Sequence, residues 1–303
     1  MRREWLKMSD GTDLYIRIWE SENPKATVQL VHGMAEHAGR YERFAQILNN
    51  SGYTVIANDH RGHGETGKRK QSLGDFPSKG GWNRVVKDLE EVRDFLEKEC
   101  KSDAVYLIGH SMGSFLSRSL IAEAGERYRG VILSGTAGDP GVMGRLGQGL
   151  AAILMPFVAE KPNELMDRLS FGSYNRTFEP NRTAFDWLSR DTEEVDQYIQ
   201  DPLCGFVCTT RFYRDLLGGL LAVNSKENME RIPKKLPICL MSGEQDPVGE
   251  FGKGIQALAD KYKEEKLPVS MQLFSGARHE ILNEINRDEV MDAMIDWMNR
   301  HEK

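Results

Sequence analysis

Cysteine is scarce: Cys100, Cys204, Cys208 and Cys239 are the four in 303 residues. None forms a C-x-x-C pair, and no histidine stands beside Cys204 and Cys208 at zinc-ligand spacing. A disulfide framework and a structural zinc knuckle are both excluded on that ground. The thiols read as reduced, which fits a cytoplasmic protein. Positive charge is also short. Lysine and arginine total 40 against 46 aspartates and glutamates, for a formal net charge of -6. Nucleic acid as the main partner would need a basic footprint that this balance does not supply. The opening MRREWLKMSDG has no apolar stretch, so no secretory signal is expected. No run reads as a membrane span of roughly 18 apolar residues. The longest, Leu150 to Ala159, is interrupted by Pro156. Repeats and low-complexity tracts are missing, so neither a solenoid nor a disordered tail is expected.

What is present is ordinary globular material, 40% hydrophobic and 28% charged, enough for one core with an insertion. Glu4–Met8 and Leu14–Trp19 flank Ser9-Asp10-Gly11 and predict a hairpin. Short apolar runs then alternate with helical patterns. The strands expected are Thr27–Val31, Thr54–Asn58, Ala104–Ile108, Val131–Ser134, Pro237–Met241 and Val269–Phe274. The helices expected are Tyr41–Asn49, Trp82–Cys100, Met112–Ala124, Gly254–Glu264 and Asp288–Arg300. This alternation predicts an α/β fold with a mostly parallel sheet whose strands are covered on both faces. The rhythm stops after Ser134. Glycines cluster at 135, 138, 141, 144, 147 and 149, and no buried-strand signal returns until about Ile232. The expected organisation is a core in two parts, 1–136 and 232–303, with a helical cap inserted at 137–231.

Gly109-His110-Ser111-Met112-Gly113 matches G-x-S-x-G. The pattern alone is common, but here it closes an apolar strand and opens a helix, the setting of a nucleophile elbow. Such a turn strains the serine backbone. Side chains two positions before and after it would collide with the neighbouring strand and helix, so both are glycine. Ser111 is therefore the candidate nucleophile. A serine hydroxyl needs a base within hydrogen-bond reach. His279 follows the last strand in a loop that can return to the carboxyl edge of the sheet. His301 sits near the C-terminus, and His110 reads as structural. An acid must orient the base. Asp246 follows the strand Pro237–Met241 and falls between Ser111 and His279, the chain order this arrangement takes; Glu244 is its rival. The oxyanion needs waiting donors, expected from the backbone N–H groups of Met112 and Met34. Asp59-His60-Arg61-Gly62-His63-Gly64 reads as a tight loop, because a third metal ligand is missing at sensible spacing. No metal and no cofactor are expected.

Five segments together carry a family likeness: HGMAEHAGRY (32–41), NDHRGHGET (58–66), GHSMG (109–113), SGEQDPV (242–248) and RHEILNE (278–284). The chain resembles the monoacylglycerol lipase and lysophospholipase-like α/β-hydrolases, which are related to serine aminopeptidases. Segment 185–206 is similar to the cap of bacterial lysophospholipase-like members. The resemblance implies the α/β-hydrolase fold, a mobile cap over Ser111 and a tunnel for an acyl chain. It also implies that Glu36 and Arg40 bind the polar head of the substrate. Ala35 and Ser114 stand where glycine is frequent. Leu282 replaces a second histidine near the glycerol head, which puts glycerol recognition in question.

The expected activity is ester hydrolysis through an acyl-enzyme, on a small-molecule ester such as a monoacylglycerol or lysophospholipid. The apolar stretch Leu150–Val158 either lines the acyl tunnel, touches a lipid surface or simply packs. Two other readings remain. One is a serine aminopeptidase, whose cap would need a carboxylate such as Glu164, Asp167 or Glu193 for a free amine. The other is a non-catalytic ligand-binding relative, which would usually have lost a residue of the Ser111–Asp246–His279 set. Oligomeric state is not legible.

Overall fold

The computed structural model describes residues 1–99 and 104–302. The chain opens as a hairpin of β1 (Arg2–Lys7) and β2 (Asp13–Trp19), with Leu6 opposite Leu14. The Asp10 carboxylate accepts the Thr12 N–H at 3.0 Å and tightens the turn. Next come β3 (Ala26–Val31), β4 (Tyr53–Asn58), β5 (Val105–His110), β6 (Gly130–Ser134), β7 (Ile238–Gly243) and β8 (Val269–Phe274). All eight join one sheet in the order β1-β2-β4-β3-β5-β6-β7-β8. β2 meets β4 antiparallel, and every pairing from β4 to β8 is parallel. The strands β3 to β7 are buried throughout. Their continuous apolar runs are what helices on both faces require. β8 departs from the expectation of two-sided cover. It lies at the sheet edge, and its Ser270 and Gln272 are exposed.

The helices before the break are α1 (Glu42–Asn50), α2 (Gly64–Lys70), α3 (Gly81–Glu99) and α4 (Met112–Ala124). α3 buries Val85, Leu89, Val92 and Leu96 along one face, as their spacing predicts. Its expected end at Cys100 lies outside the described residues. α2 follows the loop expected at 59–64, where no helix was expected. Gly64 and Gly67 conceal it from a propensity argument, and it is capped from outside: the Asp59 carboxylate accepts the Glu65 N–H at 2.9 Å.

Five helices fill the interval between β6 and β7: α5 (Gly141–Val158), α6 (Glu164–Phe171), α7 (Thr192–Gln200), α8 (Thr210–Val223) and α9 (Lys226–Arg231). The chain ends with α10 (Lys253–Glu264) and α11 (Arg287–Arg300). Helices α3, α4 and α10 cover one face of the sheet, and α1 and α11 cover the other. α8 sits on the core so closely that a Cβ on Gly219 would lie 2.3 Å from the Trp82 indole. α5 packs on α8, where a Cβ on Gly147 would lie 3.1 Å from Leu217.

α5 is longer than the apolar run read from the sequence. It is one helix of 18 residues, apolar enough by length and composition alone to cross a membrane. In the sequence its glycines at 141, 144, 147 and 149 cut the apolar run short. In the fold Gly144 and Gly147 face α8 and let α5 approach it. Val142, Met143, Leu146, Ile153 and Phe157 of α5 are exposed.

Candidate active site

β5 passes into α4 through Ser111, whose backbone is at φ 52°, ψ -122°. A side chain pays about 1–2 kcal/mol for that left-handed turn, and the surroundings enforce it. A Cβ on Gly113 would lie 2.1 Å from the Val31 carbonyl oxygen, and one on Gly109 would lie 2.4 Å from Ser117 Oγ. No residue but glycine fits either place. The Ser111 N–H donates to the Ser134 carbonyl at 2.9 Å, which ties the turn to β6. Ser111 stands at the N-terminus of α4, where the first backbone amides of a helix lack intrahelical acceptors and the dipole end is positive.

Three side chains distant in sequence meet here. His279 Nε2 lies 3.0 Å from Ser111 Oγ. His279 Nδ1 lies 3.0 Å from each Asp246 carboxylate oxygen. The tautomer protonated at Nδ1 satisfies both contacts, leaving Nε2 as an acceptor for the serine proton. Asp246 is fully buried and held by two further donors, Ser242 Oγ at 3.1 Å and the Val248 N–H at 2.9 Å. Burial alone would push the imidazole of His279 towards its neutral form. The Asp246 charge and hydrogen bond, with Glu280 and Glu36 behind them, outweigh burial and raise its pKa above 6.5. Glu244, the sequence rival to Asp246, turns instead to the Gly276 N–H at 3.2 Å.

The loop after β3 brings Met34 to the same edge. A Cβ on Gly33 would lie 3.3 Å from Ser111 Cβ. The Met34 N–H has no protein acceptor among the described residues, and Met112 begins α4. Both amides expected as oxyanion donors are thus unspent. Ala35 is at φ 51°, which explains the glycine expected there. Glu36 and Arg40, which the resemblance places at the substrate head group, lie in an ion network, Glu36 buried and Arg40 half-buried. Glu36 accepts from Gly33 N–H, Tyr41 Oη and Arg40 Nη1 at 2.5, 2.8 and 2.8 Å. Arg40 also forks onto both oxygens of Glu280, at 2.6 and 2.7 Å. Their polar atoms are occupied by one another, a pairing that needs Glu280, remote in sequence.

A family model described as Serine aminopeptidase, S33 (Hydrolase_4) matches residues 22–286. The chain belongs to this family. A monoglyceride lipase of Mus musculus is 29% identical over 296 residues, covering 96% of this chain and 87% of that protein. A monoacylglycerol lipase of Mycolicibacterium smegmatis is 27% identical, with 96% and 94% covered. Among solved structures, a thermostable carboxyl esterase from Bacillus coagulans, in complex with glycerol, superposes with a TM-score of 0.93. It is 27% identical, over 100% of this chain and 99% of that one. The fold is that of the α/β-hydrolases, and the chain is a hydrolase enzyme of the monoglyceride lipase and esterase type.

This hydrolase surrounds its histidine with groups the sequence did not flag. The Trp187 ring lies 5.1 Å from the His279 ring, and Tyr174 lies 5.2 Å from Trp187. The segment before α7 also pins the histidine loop: the Leu188 carbonyl accepts the Glu280 N–H at 2.8 Å, and Ser189 Oγ donates to the Asn283 carbonyl at 2.7 Å. No local pattern marks these contacts, because they join the insertion to the core. His110, read from the sequence as structural, packs 4.8 Å from the His279 ring with Nδ1 3.3 Å from Ser134 Oγ. Burial takes its pKa down to about 4 and keeps it neutral.

Among the described residues, one trio offers metal-ligating atoms together: His37, Asp201 and Cys204. Its donor pattern does not suit a metal. His37 Nδ1 accepts the Gly39 N–H at 3.1 Å, so the ring proton sits on Nε2 and is given to Asp201 at 2.8 Å. A metal-bound imidazole instead donates through its second nitrogen. The pair is a hydrogen-bonded link between the loop after β3 and the end of α7. In the 59–64 loop, Asp59 accepts from Arg17 at 2.7 Å and from the Ala38 N–H at 2.9 Å. Both contacts make it an organiser of loops.

Proposed function

We propose that this hydrolase cleaves single-chain lipid esters, monoacylglycerols or lysophospholipids, through an acyl-enzyme on Ser111. The observation that carries the reading is the unbroken chain Asp246–His279–Ser111, with 3.0 Å contacts on both sides of the imidazole, at a strained elbow. His279 takes the hydroxyl proton as Ser111 Oγ attacks the ester carbonyl. The amides of Met34 and Met112 receive the oxyanion. Collapse expels the alcohol, which leaves with the proton held by His279. Water, activated by the same imidazole, then releases the acid and restores Ser111.

The lipid class is supported by the names of the lipase relatives and by apolar side chains half-buried against the core. These include Met34 from the oxyanion loop, Leu150 from α5, Phe171 from α6, and Leu217 and Leu220 from α8. Residues 137–231 act as the cap in this reading, with 1–136 and 232–303 as the two parts of the core. The exposed apolar face of α5, continued by Leu165 and Leu169 of α6, is suited to transient contact with a lipid surface. Leu282 is buried in the core, so head-group recognition rests on groups other than a second histidine. The buried, unpaired thiols of Cys204, Cys208 and Cys239 fit work in a reducing cytoplasm. The carboxylates considered for a free amine do not favour that reading: Glu164 and Glu193 are exposed, and Asp167 accepts from Tyr213 at 2.8 Å.

The test is covalent labelling with a fluorophosphonate, followed by a panel of esters of graded chain length and an amino-acid arylamide. Labelling is expected in the wild type and absent from Ser111→Ala, whose turnover falls by roughly 10⁴-fold or more. A wild type that resists labelling, or that prefers short soluble esters or the arylamide, overturns the reading.

A further inference from the structure

Glu280 is bonded directly to His279, yet no step of the chemistry above uses it. Its side chain is buried and gripped by Arg40, Nη1 to Oε1 at 2.6 Å and Nη2 to Oε2 at 2.7 Å. The same Nη1 reaches Glu36 Oε2 at 2.8 Å. Glu36 Oε1 accepts the Gly33 N–H at 2.5 Å, and Gly33 precedes Met34 in the oxyanion loop. A continuous polar path therefore joins the loop offering an oxyanion amide to the loop carrying the base. Its roof comes from the insertion: the Arg40 guanidinium lies 4.8 Å from the Tyr198 ring centroid, and Tyr198 Oη donates to the Ala35 carbonyl at 3.0 Å.

One guanidinium serves two buried carboxylates here. Burying the second carboxylate carries a desolvation cost that a single ion pair would have avoided, and it leaves the cluster one negative charge in surplus. We propose that Arg40, Glu36 and Glu280 form a positioning clamp. It fixes the oxyanion loop against the histidine loop and keeps surplus negative charge where the imidazolium forms. The inference rests on the acyl-enzyme reading above. The groups facing His279 are consistent with it. Asp246 comes from the loop after β7, Glu36 with Arg40 from the loop after β3, and Glu280 from its own loop. His110 at the end of β5 is held neutral, and Trp187 and Tyr174 from the insertion carry no charge at neutral pH.

The experiment measures kcat, KM and Tm for a soluble ester from about pH 5 to about pH 9. The proteins are wild type, Glu280→Gln, Glu36→Gln, the double variant and Arg40→Lys. Glu280→Gln is expected to lower kcat between about 10- and 100-fold, the scale of a small misplacement at the reacting centre, with KM little changed. Its acid limb moves to lower pH, because a lost carboxylate no longer favours the imidazolium. Arg40→Lys keeps the charge but not the fork, so kcat falls while the limb stays. The double variant loses no more than the worse single one, as members of one unit do. Three results overturn the clamp: a change in Tm alone, a limb unmoved in Glu280→Gln, or losses that multiply in the double variant. Fluorophosphonate labelling of the wild type is run beside them. Without labelling the acyl-enzyme reading itself falls; with labelling and an unmoved limb, only the clamp does.

Discussion

At the scale of single residues, the chemistry depends on opposed effects at His279. Burial disfavours its charged form, and the carboxylates around it favour that form more strongly. A base must be neutral to accept the serine proton. Because the net shift is upward, kcat/KM is expected to fall on acidification through a pKa above about 6.5, the ordinary histidine value. A pH–rate profile with its acid limb below that value would contradict the balance. Asp246→Asn removes the largest favourable partner and leaves the imidazole without its orienting acceptor. Its limb should move down, with kcat lower by about 10³–10⁴-fold. Residue type led to the serine, histidine and aspartate that meet at the elbow, because only a few residue types suit acyl transfer. It did not reveal how Glu36 and Arg40 pair. Charged side chains in a conspicuous loop invite a ligand role, but the partner that occupies them here is Glu280, which only folding brings near.

Elements place these residues. The turn from β5 to α4 works because β3 passes close beside it, leaving no room at position 113. Gly113→Ala should therefore destabilise the protein by about 3 kcal/mol or more, through an overlap with backbone that cannot move aside. Denaturant unfolding with unchanged slope and a lower midpoint would register it. A neutral result would mean that β3 yields. The elbow was legible in the sequence since strand, turn and helix are contiguous there. α2 was not, because its capping carboxylate, Asp59, precedes the helix in a loop organised by Arg17 of β2. The start of α5 was hidden for a related reason. Glycine lowers helix propensity, but packing against α8 rewards the close approach that glycine permits.

The whole molecule adds the relation between insertion and core. The segment before α7 anchors the histidine loop, α8 rests on Trp82 of α3, and α5 turns Ile153 and Phe157 outward at 69% and 78% exposure. If that face meets lipid, Ile153→Glu/Phe157→Glu should lower activity on long-chain esters presented in vesicles by about tenfold or more, in line with the cost of charges at an apolar boundary. Activity on a soluble short ester and Tm should stay as in the wild type, since both side chains are already in water. Co-sedimentation with vesicles should fall in parallel. Equal loss on both substrates would place the face in cap folding instead.

The sequence by itself determined the succession of strands and of the core helices other than α2, the elbow, and the three side chains that meet at it. Periodicity, glycine placement and chain order are local or ordered properties, so they can be read along the chain. The tertiary structure decided what surrounds the imidazole, which ions pair beneath the oxyanion loop, and how α5 is displayed. Each of those depends on contacts between segments far apart in sequence, and the energies of burial and pairing that select them exist only once the chain has closed on itself.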